Sequence, residues 1–300
     1  MPSTPATDAP MQIENGASQT TCSIVGNIEV APLHFRLTFA HREIARTARA
    51  GHFVHILPRG SSGFDPLLRR AFSIVSADTE TFDVLFKVVG KGTAMMRAWD
   101  VGQKVDLIGP LGTPFVPLNN HSILVGGGVG TPPMAMLASQ AQISSARISS
   151  ARISSAENIM AIVGARTGSD VLCLEDFAKY NVAVKIATDD GSLGHHGFVT
   201  DLLRIEFAKH QDGTMPVVYA CGPLPMLKSV AQICAEFGAS CQVSLEENMP
   251  CGIGVCNGCV IPVLGQSDDY GSYRRICVNG PVAWAHEVDW AHWDNGAVAS

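Results

Sequence analysis

Cys251, Cys256 and Cys259 follow C-x4-C-x2-C, and Cys277 comes after seventeen intervening residues. Four thiolates at this spacing suit a 2Fe-2S cluster, with the cysteine sulfurs as the ligands of two irons. The surrounding stretch "EENMPCGIGVCNGCV" (246–260) also supplies Gly252, Gly254 and Gly258. Glycine admits turns that a side chain resists and lets backbone amides approach cluster sulfurs, where hydrogen bonds tune the potential. A structural zinc site of four cysteines is the alternative; such sites usually bring their ligands as two C-x2-C or C-x2-4-C knuckles, and only one such pair is present here. The other cysteines, Cys22, Cys173, Cys221, Cys234 and Cys241, are scattered singly, the usual pattern of small buried hydrophobes.

A one-electron centre needs a partner, and a second candidate site lies upstream in "SILVGGGVGTPPM" (122–134). An apolar run passes into glycines and then Pro132 and Pro133, which reads as strand, tight turn and helix start. Amides at such a helix start can cradle a phosphate. Gly126 and Gly128 match G-x-G-x-x-G, Gly127 and Gly130 share the loop, and Thr131 stands where the third glycine would fall. "NIMAIVGART", "NVAVKIATDDGS" and "MPVVYACGPLPML" follow, each an apolar run ending in a turn, with helical segments between them. That alternation predicts a parallel α/β sheet, whose ligands sit beyond the carboxyl ends of the strands. The predicted dinucleotide site is therefore Gly126, Gly127, Gly128, Gly130 and Thr131 with Cys221, Gly222, Pro223 and Met226, although Cys221 reads equally well as a buried thiol beside a turn. Asp189, Asp190, His195 and His196 read as loop and surface groups.

Before residue 119 the texture changes to short alternating runs divided by Gly, Pro, Asn and Asp, which predicts a small antiparallel β-barrel. The expected organisation is a leader over 1–20, a barrel over 21–118, an α/β nucleotide domain over 119–243 and a small cluster domain over 244–300. The tandem "ISSAR" repeat at 143–156 has a period of five, which keeps no constant helix face, and is expected as exposed filler. With 300 residues, 46% hydrophobic, 16% charged and a net charge of -6, the chain is globular and lacks the basic field that nucleic-acid binding needs. No apolar run is long enough to span a membrane, and the polar first residues resemble no signal peptide, so a disordered leader on a cytoplasmic protein is expected.

Barrel plus α/β sheet, together with "RAFS" (70–73) and "GKGT" (90–93), resembles the ferredoxin-NADP reductase superfamily. The resemblance implies FAD, with Arg70 on the pyrophosphate, Phe72 packed on the flavin and Ser73 near its N5. Ala71 stands where proline is common. Leu85, Phe86 and Lys87 would lie along FAD, and Gly92 and Thr93 would donate to its phosphates. Within that superfamily, "LRRAFSI", "GGGVGTPPM", "ATDDGSLGHHGFVTDLL", "YACGPLPMLKSVA", "SLEENMPCGIGVCNGCV" and "YRRICVNGPV" in this order are similar to the electron-transfer subunits of type B dihydroorotate dehydrogenase. Membership implies that the cysteines are an electron port and that the partner is an FMN-containing catalytic subunit. It also implies a heterotetramer of two copies of each subunit, no dihydroorotate site in this chain, and Glu246 near the flavin. A stand-alone or other-partner NAD(P)H reductase is the alternative. Arg166 would welcome the 2'-phosphate of NADP while Glu175 and Asp176 would repel it; the resemblance favours NAD.

Overall fold

The computed structural model describes residues 17–59, 64–116, 121–147, 159–210, 215–267 and 271–293. Strands β1 (Ser18–Ala31), β2 (His34–Ala40), β3 (Phe53–Ile56), β4 (Arg70–Ala77), β5 (Thr81–Lys87) and β6 (Lys104–Leu111) close an antiparallel barrel in the order β1-β2-β5-β4-β3-β6. Alternation builds it: Leu37 and Phe39 on β2 point inward, as do Phe82 and Val84 on β5. Phe39 and Phe82 are direct cross-strand partners, their rings stacked with centroids 5.4 Å apart. Strand β1 begins at Ser18, inside the stretch expected as leader. Two short helices interrupt the barrel, α1 (Arg42–Thr47) and α2 (Lys91–Arg97).

The second layer is a seven-stranded sheet made from β7 (Ser122–Gly127), β8 (Ile159–Ala165), β9 (Ala183–Thr188), β10 (His195–His196), β11 (Val217–Cys221), β12 (Cys241–Ser244) and β15 (Val282–Trp284). Its order is β10-β9-β8-β7-β11-β12-β15, with all neighbours parallel except β12 and β15. The order reverses direction between β7 and β11, and that switch point is where such sheets open a crevice. Helices α3 (Thr131–Arg147), α4 (Leu174–Lys179), α5 (Val199–Phe207) and α6 (Leu224–Phe237) connect the strands. The first five residues of the ISSAR repeat continue α3, whereas 148–156 lie outside the described residues. His195 and His196 form an edge strand, with His195 Nε2 3.3 Å from Asp201 Oδ2.

Barrel and sheet share one core. Met134 to Ala138 on α3 are all buried because this part of the helix is sandwiched between them, so these five residues are apolar all round. The Gln140 side chain accepts from Ala50 N at 3.0 Å and donates to Ala48 O at 3.2 Å, and Tyr219 Oη donates to Val116 O at 3.2 Å. Arg36 on β2 donates to Asp176 on α4 at 2.5 Å. Asp176, weighed in the sequence as a deterrent to a 2'-phosphate, is thus committed to an ion pair with the barrel.

The C-terminal segment contributes a hairpin, β13 (Val260–Ser267) with β14 (Gly271–Arg275), and a short helix α7 (Ile276–Asn279) that carries Cys277. It then returns as β15 to extend the parallel sheet. Trp293 Nε1 donates to Glu247 Oε1 at 2.9 Å, tying the end of the described chain to the cysteine loop.

Candidate functional site

A cleft of about 450 Å³ opens between the barrel and the switch point. Arg70, Ala71, Phe72 and Ser73 from β4, Leu85, Phe86 and Lys87 from β5, and Gly92 and Thr93 from α2 all line it. Phe72 packs on Phe86 with centroids 5.8 Å apart, leaving an apolar wall for a flat ring. Arg70 stands exposed at the rim, where its Nη1 donates to Leu68 O and Arg69 O, each at 3.0 Å, holding its own loop in place. The hydroxyl of Thr93 accepts from Val89 N at 3.0 Å and Gly90 N at 3.2 Å, so it caps α2. What α2 can offer a phosphate is therefore its first-turn amides, which have no intrahelical acceptor.

The cleft also contains residues the sequence did not single out: Phe53, Lys91, Val129, Ser244 and Met249. Val129 comes from the glycine loop and Met249 from the approach to the cysteines, so one cleft touches both predicted neighbours. Lys91, Val129, Ser244 and Met249 lie inside quoted motifs, which was their only signal, and Phe53 carried none. Glu246, also in the cleft, is reached by solvent through the opening but surrounded by protein elsewhere, and that burial pushes its carboxyl above the usual range.

The predicted nucleotide residues also converge. Gly126 pairs with Cys221 in the β7–β11 register. A Cβ on Gly127 would lie 2.6 Å from Met226 Sδ and 3.1 Å from Pro223 Cδ, and one on Gly130 would lie 2.4 Å from Cys221 O. Gly128, at φ +52, instead faces open space. Thr131 is fully buried and its Oγ1 has no hydrogen-bond partner. Cys221 is buried, and desolvation raises its thiol so strongly that it stays protonated.

The four motif cysteines meet as two pairs. Cys256 N donates to Cys251 Sγ at 3.4 Å and Gly258 N donates to Cys256 Sγ at 3.4 Å. Burial opposes ionisation of Cys251, but amides of Ile253, Cys256 and Val255 outweigh it and hold the thiol below its usual range. In the deeper pair, a hydrogen bond with Cys277 lowers Cys259 to about 7 and raises Cys277, so the two share a proton. Two thiol pairs with amides aimed at sulfur form a donor set that a two-iron cluster can use. Gly252 and Gly254 take φ +71 and +81, while the third left-handed residue of the loop is Asn257, at φ 55, and not Gly258. At Gly258 a Cβ would make a tight contact instead, 3.0 Å from Pro250 Cδ.

Behind the cysteine loop, burial pushes both His52 and His55 down to about 4, and the charges of Arg49 and Arg69 add to the effect. Both rings are neutral in the folded chain. In the unfolded chain they take up protons near pH 6.5, so the stability they contribute is complete above that pH and lost as pH falls towards 4, up to about 3 kcal/mol per ring. Urea unfolding of the protein at pH 7.5, 6 and 5 should show a falling midpoint, flattened by His52→Asn.

Residues 246–289 match the iron-sulfur cluster binding domain of dihydroorotate dehydrogenase B, and residues 124–232 match the oxidoreductase NAD-binding domain. The chain is 35% identical over 273 residues to the dihydroorotate dehydrogenase B (NAD(+)) electron transfer subunit of Geobacillus thermodenitrificans, covering 89% of this chain and 96% of that one. The protein of the same name from Desulforamulus reducens is 36% identical over 267 residues, covering 87% and 94%. Among solved structures, a chain of the NADH-dependent reduced ferredoxin-NADP oxidoreductase superposes with a TM-score of 0.73 at 28% identity, covering 90% of each chain. Ferredoxin-NADP+ reductase from Plasmodium falciparum shares the fold at a TM-score of 0.58 and 18% identity, covering 76% of this chain and 96% of that one. With relatives at 35% and 36% identity matched along nearly their whole length, the chain belongs to the family of dihydroorotate dehydrogenase B electron transfer subunits.

Proposed function

We propose that this chain carries electrons from an FMN-containing dihydroorotate dehydrogenase subunit to NAD, through a 2Fe-2S cluster and FAD. One observation carries the reading: a single cleft is walled by the β4 motif, by Val129 of the glycine loop and by Met249, two residues from Cys251. Residues 21–118 would hold FAD, 119–243 NAD and 244–300 the cluster. Flavin supplies the junction chemistry, since it exchanges one or two electrons whereas nicotinamide takes a hydride.

The chain's own residues divide the remaining work. Arg70 and the first-turn amides of α2 hold the pyrophosphate, Leu85, Phe86 and Lys87 flank FAD, and Phe72 packs on its ring while Ser73 offers a hydroxyl to it. Gly127 leaves room for Met226, so that the backbone at Cys221, Gly222 and Pro223 borders the nicotinamide. Glu246, raised by burial, holds or releases a proton beside the cleft. Cys251 with Cys256 and Cys259 with Cys277 hold the cluster, the first pair towards solvent and the second enclosed. The same reading includes a heterotetramer with two copies of each subunit, in the cytoplasm; no helix among the described residues is long and apolar enough to cross a membrane.

The test is purification without oxygen, analysis of iron, acid-labile sulfide and flavin, and then mixing with the FMN subunit and dihydroorotate. Equal iron and sulfide, bound FAD, and NADH formation only when both subunits are present are expected. Flavin with NADH oxidation but no response to the FMN subunit would instead favour a stand-alone reductase.

A further inference from the structure

Arg70 lines the flavin cleft, while the side chain of its neighbour Arg69 turns into the barrel wall and is only 15% exposed. The β3–β4 ladder begins where Ile56 faces Arg70, so Leu68 and Arg69 come just before it and their carbonyls are not set by ladder pairing. Those two carbonyls matter, because each accepts from Arg70 Nη1 at 3.0 Å. Both hydrogens of Nη1 are thereby used, and the donors on Nη2 and Nε are the ones that can turn to an acceptor in the cleft.

The Arg69 side chain fixes what the ladder does not. Its Nη1 donates to His55 O on β3 and to Asp106 O on β6, each at 3.3 Å, and its Nη2 donates to both carboxylate oxygens of Asp106 at 2.9 Å. The carboxylate is held in turn from β1, where Gln19 Nε2 donates to Oδ1 at 3.2 Å and to Oδ2 at 3.0 Å. A planar guanidinium held at this many points has no freedom to swing, so the entry to β4 is tied to three other strands of the barrel.

We propose that Arg69 is a positioning residue of the flavin site: clamped by Asp106 and the β3 and β6 carbonyls, it holds the Leu68 and Arg69 carbonyls that aim Arg70 at the FAD pyrophosphate. The proposal rests on the reading that this cleft binds FAD through Arg70. A charged group that is held in place before its ligand arrives loses less freedom on binding, which is how a residue outside the cleft raises affinity inside it.

The experiment compares full-length wild type, Arg69→Met, Arg70→Met and the double variant, with Asp106→Asn tested alone and in the Arg70→Met background. FAD affinity is read from the flavin fluorescence released on dilution, beside the urea midpoint and the visible spectrum of the FAD-saturated protein. Arg69→Met should bind FAD about tenfold more weakly, the worth of roughly one hydrogen bond to a charged group, and Asp106→Asn, which keeps one acceptor oxygen, should lose less. Because Arg69 acts through Arg70, neither change should weaken FAD binding further in the Arg70→Met background. The flavin spectrum should stay as in wild type, since the Phe72 and Phe86 wall is untouched. Equal losses in both backgrounds, or wild-type affinity in Arg69→Met or Arg70→Met, overturn the proposal. If Arg69→Met does not fold, Asp106→Asn decides alone: a loss confined to the background that retains Arg70 supports the role, and no loss or an equal loss in both overturns it. Wild-type protein that binds no FAD would instead sink the flavin reading on which it rests.

Discussion

Cys259→Ser should cost the chain its cluster and cut electron exchange with the catalytic partner subunit by more than about 100-fold, since even outer-shell changes at metal sites cost 10–100-fold in affinity or activity. Cys259 and Cys277 are 1% and 2% exposed, so no solvent ligand can replace the missing sulfur. A serine hydroxyl is shorter, harder and far less acidic than the thiol, which its partner already brings to about 7. Cys256 is exposed, and Cys256→Ser should be the milder change because water can approach that corner. The flavin cleft does not include Cys259, so FAD content and NADH oxidation by an artificial acceptor should stay close to wild type. Iron and sulfide analysis beside both partial reactions checks the prediction. Loss of flavin together with iron would mean that the cluster loop is part of the flavin site.

The features legible in the sequence were those written in local spacing. Four cysteines, a glycine loop and short alternating strands each carry their meaning within a few residues, so the barrel and the parallel sheet could be read in advance, and the cysteines could be read as one set though not as two pairs. Contacts made between distant residues could not. Nothing near Asp176 signals its ion pair with Arg36, 140 positions away. His55 sits in an apolar run, "HFVHILP", that reads only as a core strand, and its place beneath Gly252 depends on how the C-terminal segment folds back. The same return explains β15, a short run after "NGP" that joins the sheet antiparallel to β12 and whose partner lies about forty residues earlier. Asn257 was passed over for Gly258 because glycine is the usual bearer of a left-handed turn, while asparagine also tolerates one.

Gly130→Ala should disable the nucleotide side just as selectively. Its added Cβ would meet Cys221 O at 2.4 Å, with Cys221 C and Gly222 N both at 2.5 Å. All three are backbone atoms at the end of β11, and β11 is fixed to β7 through the register that pairs Gly126 with Cys221. Relief therefore requires the glycine loop and the "CGP" turn to move apart, an overpacking cost of about 1–3 kcal/mol. These are the two backbone segments expected to border the nicotinamide, and a displacement of about 1 Å at such a site can cost 10²-fold in rate. kcat/KM for NADH with an artificial acceptor should fall by about that factor, with cluster content unchanged. Gly128→Ala separates crowding from backbone strain: at φ +52 it carries a strain of about 1–2 kcal/mol, but nothing lies within 4 Å of the new methyl group. It should therefore retain most NADH oxidation. If the two variants behaved alike, the left-handed loop conformation, and not the close approach of β7 to β11, would be what the nucleotide site depends on.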